Sequence, residues 1–358
     1  MDFETLVEVT RGSLVESRHL GALAIVNATG ELLYSCGDPG LTTYLRSSAK
    51  PMQSVALVES GAADAFGLTD RELAVISSSH NGEDMHTACV ADILQKLGLG
   101  PQHLACGLHA PLHQPAAQRL LAAGQPFTVL HNNCSGKHSG MLALAQHLGV
   151  PTEGYFRPEH PVQQRILSTV AALASLHPTD IVVGVDGCGV PVFGMPLRNA
   201  AWAFARLADP RDLAPEWAAA ARRVVKAMQA YPEMVGGSQR WDTDLMRQTA
   251  PRVFAKGGAE GYYALGVLPQ AGDRTEGVGL ALKIADGDHL GRARPVVIIE
   301  ALRQLGVLAE EDLAALAKWR TLEARNHRGE VVGQARPAFS LHAQRRERAR
   351  RDGEGRDR

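Results

Sequence analysis

Ser47 stands three residues before Lys50 in the run Leu45-Arg46-Ser47-Ser48-Ala49-Lys50-Pro51. If this stretch opens a helix, the two side chains share one face. A serine hydroxyl is a poor nucleophile at neutral pH, but an amine whose pKa is lowered by burial or by a second cation can take its proton. Taken alone, the spacing equally fits a helix N-cap beside a surface lysine, and Pro51 biases Lys50 away from helical backbone. A second stretch, Ile76-Ser77-Ser78-Ser79-His80-Asn81-Gly82-Glu83, runs from apolar residues into small hydroxyls and an Asn-Gly turn. Loops of this kind at the end of an element often carry sites, although Ser79 or Asn81 could simply cap a helix beginning near Asp84. The third stretch is Lys256-Gly257-Gly258, a lysine at a strand end whose glycines would let a substrate approach the strand edge, or else a surface turn.

In chain order the three read Ser-x-x-Lys, Ser-x-Asn and Lys-Gly-Gly, parallel to the Ser-x-x-Lys, Ser-Asp-Asn and Lys-Thr-Gly set of serine β-lactamases and penicillin-binding proteins. The shared logic is that one serine attacks an amide carbonyl and the helix-borne lysine manages its proton, while a second serine and a second lysine pass a proton to the departing nitrogen. Ser79 follows Ser47 sooner than in those families, which points to a distant common plan. Two more polar blocks flank apolar elements, Leu130–Met141 and Val183–Pro191. Their thiols, Cys134 and Cys188, and the Asp186 carboxylate could meet at one metal, and sulfur ligands favour zinc. Neither block has a CxxC or HxxxH form, so two small buried cysteines beside tight turns account for them as well. Lys137 would have to lose its proton to ligate a metal and could equally bind a substrate carboxylate. The stretch Glu233–Asp244 reads as a loop that ends in a helix cap at Asp242.

The blocks Arg46–Gln53, Ser78–Glu83, His131–Met141, Val185–Pro191 and Lys256–Gly261 together resemble the Rhizobium-type L-asparaginases, also called the asparaginase II or class 3 family. The resemblance covers roughly residues 5–330 in family order. It implies a fold related to the serine β-lactamases and glutaminases, a homodimer, and hydrolysis of L-asparagine to L-aspartate and ammonia. It also implies two Ser–Lys tandems, Ser47 with Lys50 and Ser79 with Lys256, and substrate contacts from Arg46, His80, Asn81 and His138. A zinc ion near the substrate, held by Cys134, Lys137, Asp186 and Cys188, is implied as well; it would orient substrate and not supply the nucleophile. No organic cofactor is expected. A serine amidohydrolase of the glutaminase or β-lactamase type, and a non-catalytic amino-acid-binding protein, stay open as alternatives. The first is disfavoured by the lack of an export signal, since cell-wall substrates lie outside the cytoplasm, and the second by the presence of all four Ser and Lys residues.

Positioning these residues requires a scaffold whose outline the hydrophobic pattern gives. Short alternating stretches at Leu6–Val9, Ala22–Val26 and Glu31–Ser35, separated by turn signals, predict an antiparallel meander. From residue 51 to about 230 the pattern is largely helical, at Pro51–Ser60, Asp84–Leu97, His138–Leu148, Pro161–Ser175 and Pro215–Ala230, with strand-like runs at Leu73–Ser77 and Ile181–Val185. Strands are predicted again at Arg252–Ala255, Tyr262–Leu268 and Val278–Ile284, then a helix at Pro295–Leu305. The expected fold is α+β: an antiparallel sheet drawn from both chain ends, about 1–45 and 250–305, a helical lobe over about 51–245, and a cleft between them. Residues 1–335 form one catalytic region, and 340–358 a disordered basic tail.

Composition narrows the function classes. Of 358 residues, 45% are apolar and 21% charged, and 37 Lys plus Arg face 38 Asp plus Glu, so no nucleic-acid footprint is expected. No apolar run reaches the roughly 18 residues of a membrane span. The acidic start, Met1-Asp2-Phe3-Glu4, lacks the basic residues of a secretory signal, and a cytoplasmic address is expected. Five scattered cysteines do not form a disulfide framework.

Overall fold

The structure, a computed structural model, describes residues 2–272 and 274–344. Its main sheet draws on both ends of the chain. The strands are β1 (Glu4–Arg11), β2 (Leu14–Asn27), β3 (Leu32–Cys36), β4 (Thr42–Tyr44), β5 (Val182–Val185), β6 (Pro191–Pro196), β7 (Val253–Gly257), β8 (Tyr262–Val267), β9 (Val278–Ile284), β10 (Leu322–Arg325), β11 (Val331–Pro337) and β12 (His342–Ala343). Seven of them run in the order β10-β11-β1-β2-β9-β8-β7, all pairs antiparallel. The 14-residue β2 organises this sheet. Its first half pairs with β1 and its second half with β9, and β3 continues the edge that β1 leaves at Gly21. Every residue from Gly21 to Asn27 is buried, as expected of a central strand covered on both faces.

The helices are α1 (Lys50–Glu59), α2 (Ala62–Ala65), α3 (Asp70–Ile76), α4 (Asp84–Lys96), α5 (Gln114–Ala122), α6 (Ser135–His147), α7 (Pro161–Ala174), α8 (Leu197–Ala208), α9 (Pro215–Ala230), α10 (Pro232–Val235), α11 (Trp241–Thr249), α12 (Arg294–Gln304), α13 (Glu310–Ala315) and α14 (Ala317–Arg320). Helix α8 lies against β2, β8 and β9 through a face of alanines with Leu197 and Phe204, small enough for close helix–sheet approach. Helix α1 is buried from Lys50 to Leu57, wrapped by α3, α6, α7 and α9. Pro51 does not break it. Lys50 is helical (φ −59°, ψ −40°), and proline at the first helical positions loses no hydrogen bond.

The α+β class, the sheet from both chain ends and the helical middle agree with the sequence reading. Three differences have physical reasons. Leu73–Ser77, read as a strand, is the end of α3, because Thr69 and Glu72 form a capping box: Thr69 Oγ1 accepts from the Glu72 N–H at 3.3 Å, and the Thr69 N–H donates to Glu72 Oε2 at 2.7 Å. The middle of the chain also contains a small sheet, β4-β6-β5, of which the sequence reading had β5, at Ile181–Val185, but not β4, which is three residues long, or β6, whose residues are buried without alternation. Finally, the main sheet extends past residue 305 to β10 and β11, and β12, within the expected tail, pairs with β3. Residues 345–358 of that tail lie outside the described residues.

Candidate active site

A 3-10 turn, Arg46–Ala49, carries the chain from β4 into α1, and Arg46 makes the bend with φ of 50°. The turn leaves Ser47 half-buried in the wall of a cleft of about 470 Å³, which Ser79, Asn133, Arg240, Asp242 and Arg294 also line. Among the described residues no side-chain hydrogen bond engages Ser47.

Lys50 begins α1 and is 1% exposed. Its Nζ donates to Ser78 O at 2.5 Å, to Ser79 Oγ at 3.0 Å and to Asn133 O at 3.3 Å, which uses every proton an ammonium offers. Burial holds its pKa below the usual lysine value, against the pull of the Cys134 thiolate. The end of α3 brings Ser79 to it. Ser77 Oγ locks that end onto α1 by donating to Ser54 Oγ at 2.8 Å, and the Ser79 N–H donates to Val235 O at 3.1 Å.

Lys256 lies on β7, also buried, and its Nζ donates to Gly257 O at 2.7 Å. Burial pushes its pKa well down, and the neighbouring Lys50 charge adds to this while Asp242 opposes it. The structure therefore departs from the expected tandems. Among the described residues no side-chain hydrogen bond joins Ser47 to Lys50, whose backbone N–H donates to Ser47 O, or Ser79 to Lys256; Ser79 belongs to Lys50 instead. Two buried amines that repel one another do not share one hydroxyl, and Lys256 turns to a carbonyl.

The turn and the glycine loop are stitched together. Ser48 Oγ donates to Lys256 O at 2.6 Å, and a Cβ on Gly258 would fall 2.7 Å from Leu45 O, so only glycine allows this approach. Asp242, in the first turn of α11, accepts the Gly257 N–H at 3.1 Å, and its other oxygen is 3.5 Å from Arg240 Nη2. Burial works to raise the Asp242 pKa, but the Arg240 and Lys256 charges outweigh it and hold the carboxylate ionised. The sequence reading saw only a helix cap here; the Arg-x-Asp pair in a glycine-rich loop was the available signal. Arg294 had none. It enters from the first residue of α12, held by Asp288 Oδ2 at 2.9 Å, and donates to Gly258 O at 2.7 Å.

None of the four expected substrate contacts lines this cleft. Arg46 grips Asp186 Oδ1 through Nε at 3.0 Å and Nη2 at 2.9 Å. Asn81 accepts from Arg240 Nη1 at 3.1 Å and donates to Ser238 O at 2.9 Å, so it steadies an arginine that does line the wall. His80 is fully buried, stacked on His86 with centroids 4.9 Å apart and 2.9 Å from Ser135 Oγ, and burial pushes its pKa well down. His138, equally buried, has Nδ1 2.6 Å from the Tyr155 hydroxyl and Nε2 without a partner.

Of the expected metal ligands, three converge and one does not. Lys137 Nζ donates to Cys188 Sγ at 3.1 Å, and the Cys134 thiol interacts with that of Cys188. The bond from Cys188 and the charges of Lys50 and Lys137 drive Cys134 toward the thiolate, while Cys188 stays protonated. Two sulfurs suit a zinc-like ion; burial works to lower the Lys137 pKa, but the charges of Cys134, Cys188 and Asp186 outweigh it and raise it, so Lys137 stands here as an ammonium that would have to give up its proton to join them. Asp186 is held by Arg46, and donor atoms of Cys134, Cys188 and Asp186 do not all lie within 4.8 Å of one another.

The family model for L-asparaginase II matches residues 7–337 of this sequence. No curated protein matches it. Among solved structures, Mglu is 15% identical, with a TM-score of 0.43 over 80% of this chain and 67% of that one. The chain thus spans about two thirds of the length of Mglu. The Bacillus subtilis glutaminase YbgJ, solved as a covalent complex with 5-oxo-L-norleucine, is 13% identical, with a TM-score of 0.37 over 80% of this chain and 88% of that one.

Proposed function

The chain belongs to the L-asparaginase II family and is an amidohydrolase, and on that footing we propose that it hydrolyses the side-chain amide of L-asparagine to L-aspartate and ammonia through a serine nucleophile served by buried lysine. The observation that carries this reading is the Lys50–Ser79 contact beside the unengaged hydroxyl of Ser47 in one cleft. Ser47 Oγ attacks the amide carbon and its proton passes to a neutral Lys50 amine. Lys50 hands a proton through Ser79 to the amide nitrogen, the C–N bond breaks, and ammonia leaves an acyl ester on Ser47. Water then cleaves the ester and returns the proton to Ser47. Lys256 and Asp242 set the charge around the relay, and Arg240 and Arg294 provide cations for the substrate carboxylate.

Zinc fits the Cys134, Cys188 and Lys137 set once Lys137 has lost its proton. Bound there it would supply a positive charge that orients substrate. Asp186 would join this set only by leaving Arg46. We also propose a homodimer. In support, β5 is an edge strand of the small sheet with Val182, Val183 and Val185 between 41% and 71% exposed, a surface that pairs readily with another strand. Sedimentation of the chain and of Val182→Lys tests this, the variant being expected to run as a monomer.

Measurement of ammonia release from L-asparagine and L-glutamine, alongside ring opening of a chromogenic β-lactam followed by absorbance, decides the main reading. Turnover of asparagine above glutamine supports it. Cleavage of the β-lactam alone would transfer the site to another class of serine hydrolase, and no turnover of any of the three would leave a binding protein.

No helix among the described residues is long and apolar enough to cross a membrane.

A further inference from the structure

The sheet brings a second set of metal-ligating side chains together, none of them lining the cleft, and independent of the reading above. Strands β1 and β3 meet end to end along one edge of β2, where Glu4 pairs with Gly21 and Cys36 with Leu23. The last strand, β12, lies beside β3 at this junction, with His342 opposite Ser35. Three donors from three separate parts of the chain therefore converge, with Glu4, Cys36 and His342 offering atoms all within 4.8 Å of one another.

We propose that Glu4, Cys36 and His342 form a binding site for one zinc-like divalent transition cation that fastens β12 to the start of the sheet. Glu4 Oε2 is 3.0 Å from Cys36 Sγ and 3.5 Å from His342 Nε2. A tetrahedral zinc with bonds of about 2.0 Å to N and O and about 2.3 Å to S holds its ligand atoms roughly 3.3–3.6 Å apart, so the two pairs that Glu4 makes stand close to that spacing and the third lies within 4.8 Å. The carboxylate is also aimed: Glu4 Oε1 accepts the Gly37 N–H at 2.7 Å, which leaves Oε2 facing the other two donors. Outer hydrogen bonds that orient a ligand are typical of metal centres. Cys36 is fully buried, whereas Glu4 and His342 are 44% and 61% exposed, so an ion has a path in and water takes the fourth position. The ligand set selects the ion. Thiolate with imidazole suits zinc or cobalt and not magnesium or calcium, which require oxygen. On binding, the Cys36 S–H now directed at Glu4 releases its proton to solvent, and the S–Zn bond takes its place.

The full-length chain, stripped of metal, is titrated with zinc by equilibrium dialysis, alongside Cys36→Ala and His342→Ala. Each variant is expected to bind one equivalent fewer than the parent, however many zinc ions the parent holds, and His177→Ala, at a distant exposed histidine, should keep the parental number. His342→Ala removes a half-exposed side chain from a two-residue strand and so tests the site without disturbing the fold. A zinc count unchanged in either variant overturns the proposal and leaves an ion pair beside a buried thiol. As a second readout, zinc should slow amide hydrogen exchange in β12 of the parent and have no effect there in His342→Ala.

Discussion

Lys50 Nζ lies 3.0 Å from Ser79 Oγ, a hydroxyl 29 positions along the chain, and makes no hydrogen bond to Ser47, three positions before it. The two serines are therefore not equivalent. Ser47 is free to attack, and Ser79 is held by the amine that must move the proton. Ser47→Ala should lower turnover by about a thousandfold or more, about 4 kcal/mol of transition-state stabilisation, while the melting temperature stays near that of the parent. Ser79→Ala should lower it by about 10²–10⁴ through loss of proton transfer. Intact-mass spectrometry after rapid quenching separates the roles: an acyl adduct should form on Ser79→Ala and not on Ser47→Ala. An adduct on Ser47→Ala would move the nucleophile to Ser79.

The pKa of Lys256 is depressed well below 10.5 by burial and by Lys50, so the unfolded chain binds a proton there that the native chain gives up. Stability should then rise with pH between the depressed native pKa and about 10.4, the value in the unfolded chain. Lys256→Met should be more stable than the parent at neutral pH, with the gain vanishing above that limit, and nearly inactive. Denaturant unfolding at several pH values checks both. Activity of the parent should rise with pH as the working amines lose their protons. Asp242→Asn removes a charge that holds the Lys256 pKa up, so the acid limb of its pH–rate profile should move to lower pH. A limb unmoved by the substitution would remove Lys256 from the proton path.

Gly258→Ala should lose both stability and rate, because its Cβ would stand 2.7 Å from Leu45 O, a backbone atom that cannot rotate away. Overpacking of this kind costs about 1–3 kcal/mol, and relief of the clash must separate the Lys-Gly-Gly loop from the Ser47 turn. Calorimetry and steady-state kinetics should show both effects; a variant of parental activity would mean that the loop does not set the geometry.

Zinc at Cys134 and Cys188 should be lost when both become serine, as elemental analysis would report. With a serine as nucleophile, chelation should raise KM more than it lowers kcat. Complete loss of kcat at saturating asparagine with the fold intact would favour a metal-activated water.

Much of this architecture was legible because long, periodic or bounded segments carry it. The helix at Pro215–Ala230 and the strand at Val278–Ile284 have the predicted limits, since a strong apolar period meets clear turn signals at both ends. Leu73–Ile76 was misread because a short apolar run has no period of its own, and the deciding signal, Thr69 with Glu72, lies just before it. In the site, the motif blocks named both serines and both lysines but paired them differently from the Lys50–Ser79 contact that the structure holds. The Lys50–Ser79 contact depends on how α3 crosses α1, and no local spacing encodes that crossing. Arg294 was invisible for the same reason: one arginine at a helix start gains its meaning only when Gly258 O is found 2.7 Å away.

A chain synthesised from its N-terminus must wait for this sheet. β1, β2 and β3 leave the ribosome first, yet Gly21 needs Ile284 and Val9 needs Ala335. Throughout most of translation, then, the nascent strands expose unsatisfied edges and an apolar face with no partner. Closing so long a loop is slow, and the delay favours association between nascent chains. The yield of folded protein in a cell should accordingly respond more to growth temperature and chaperone supply than to any substitution within the cleft.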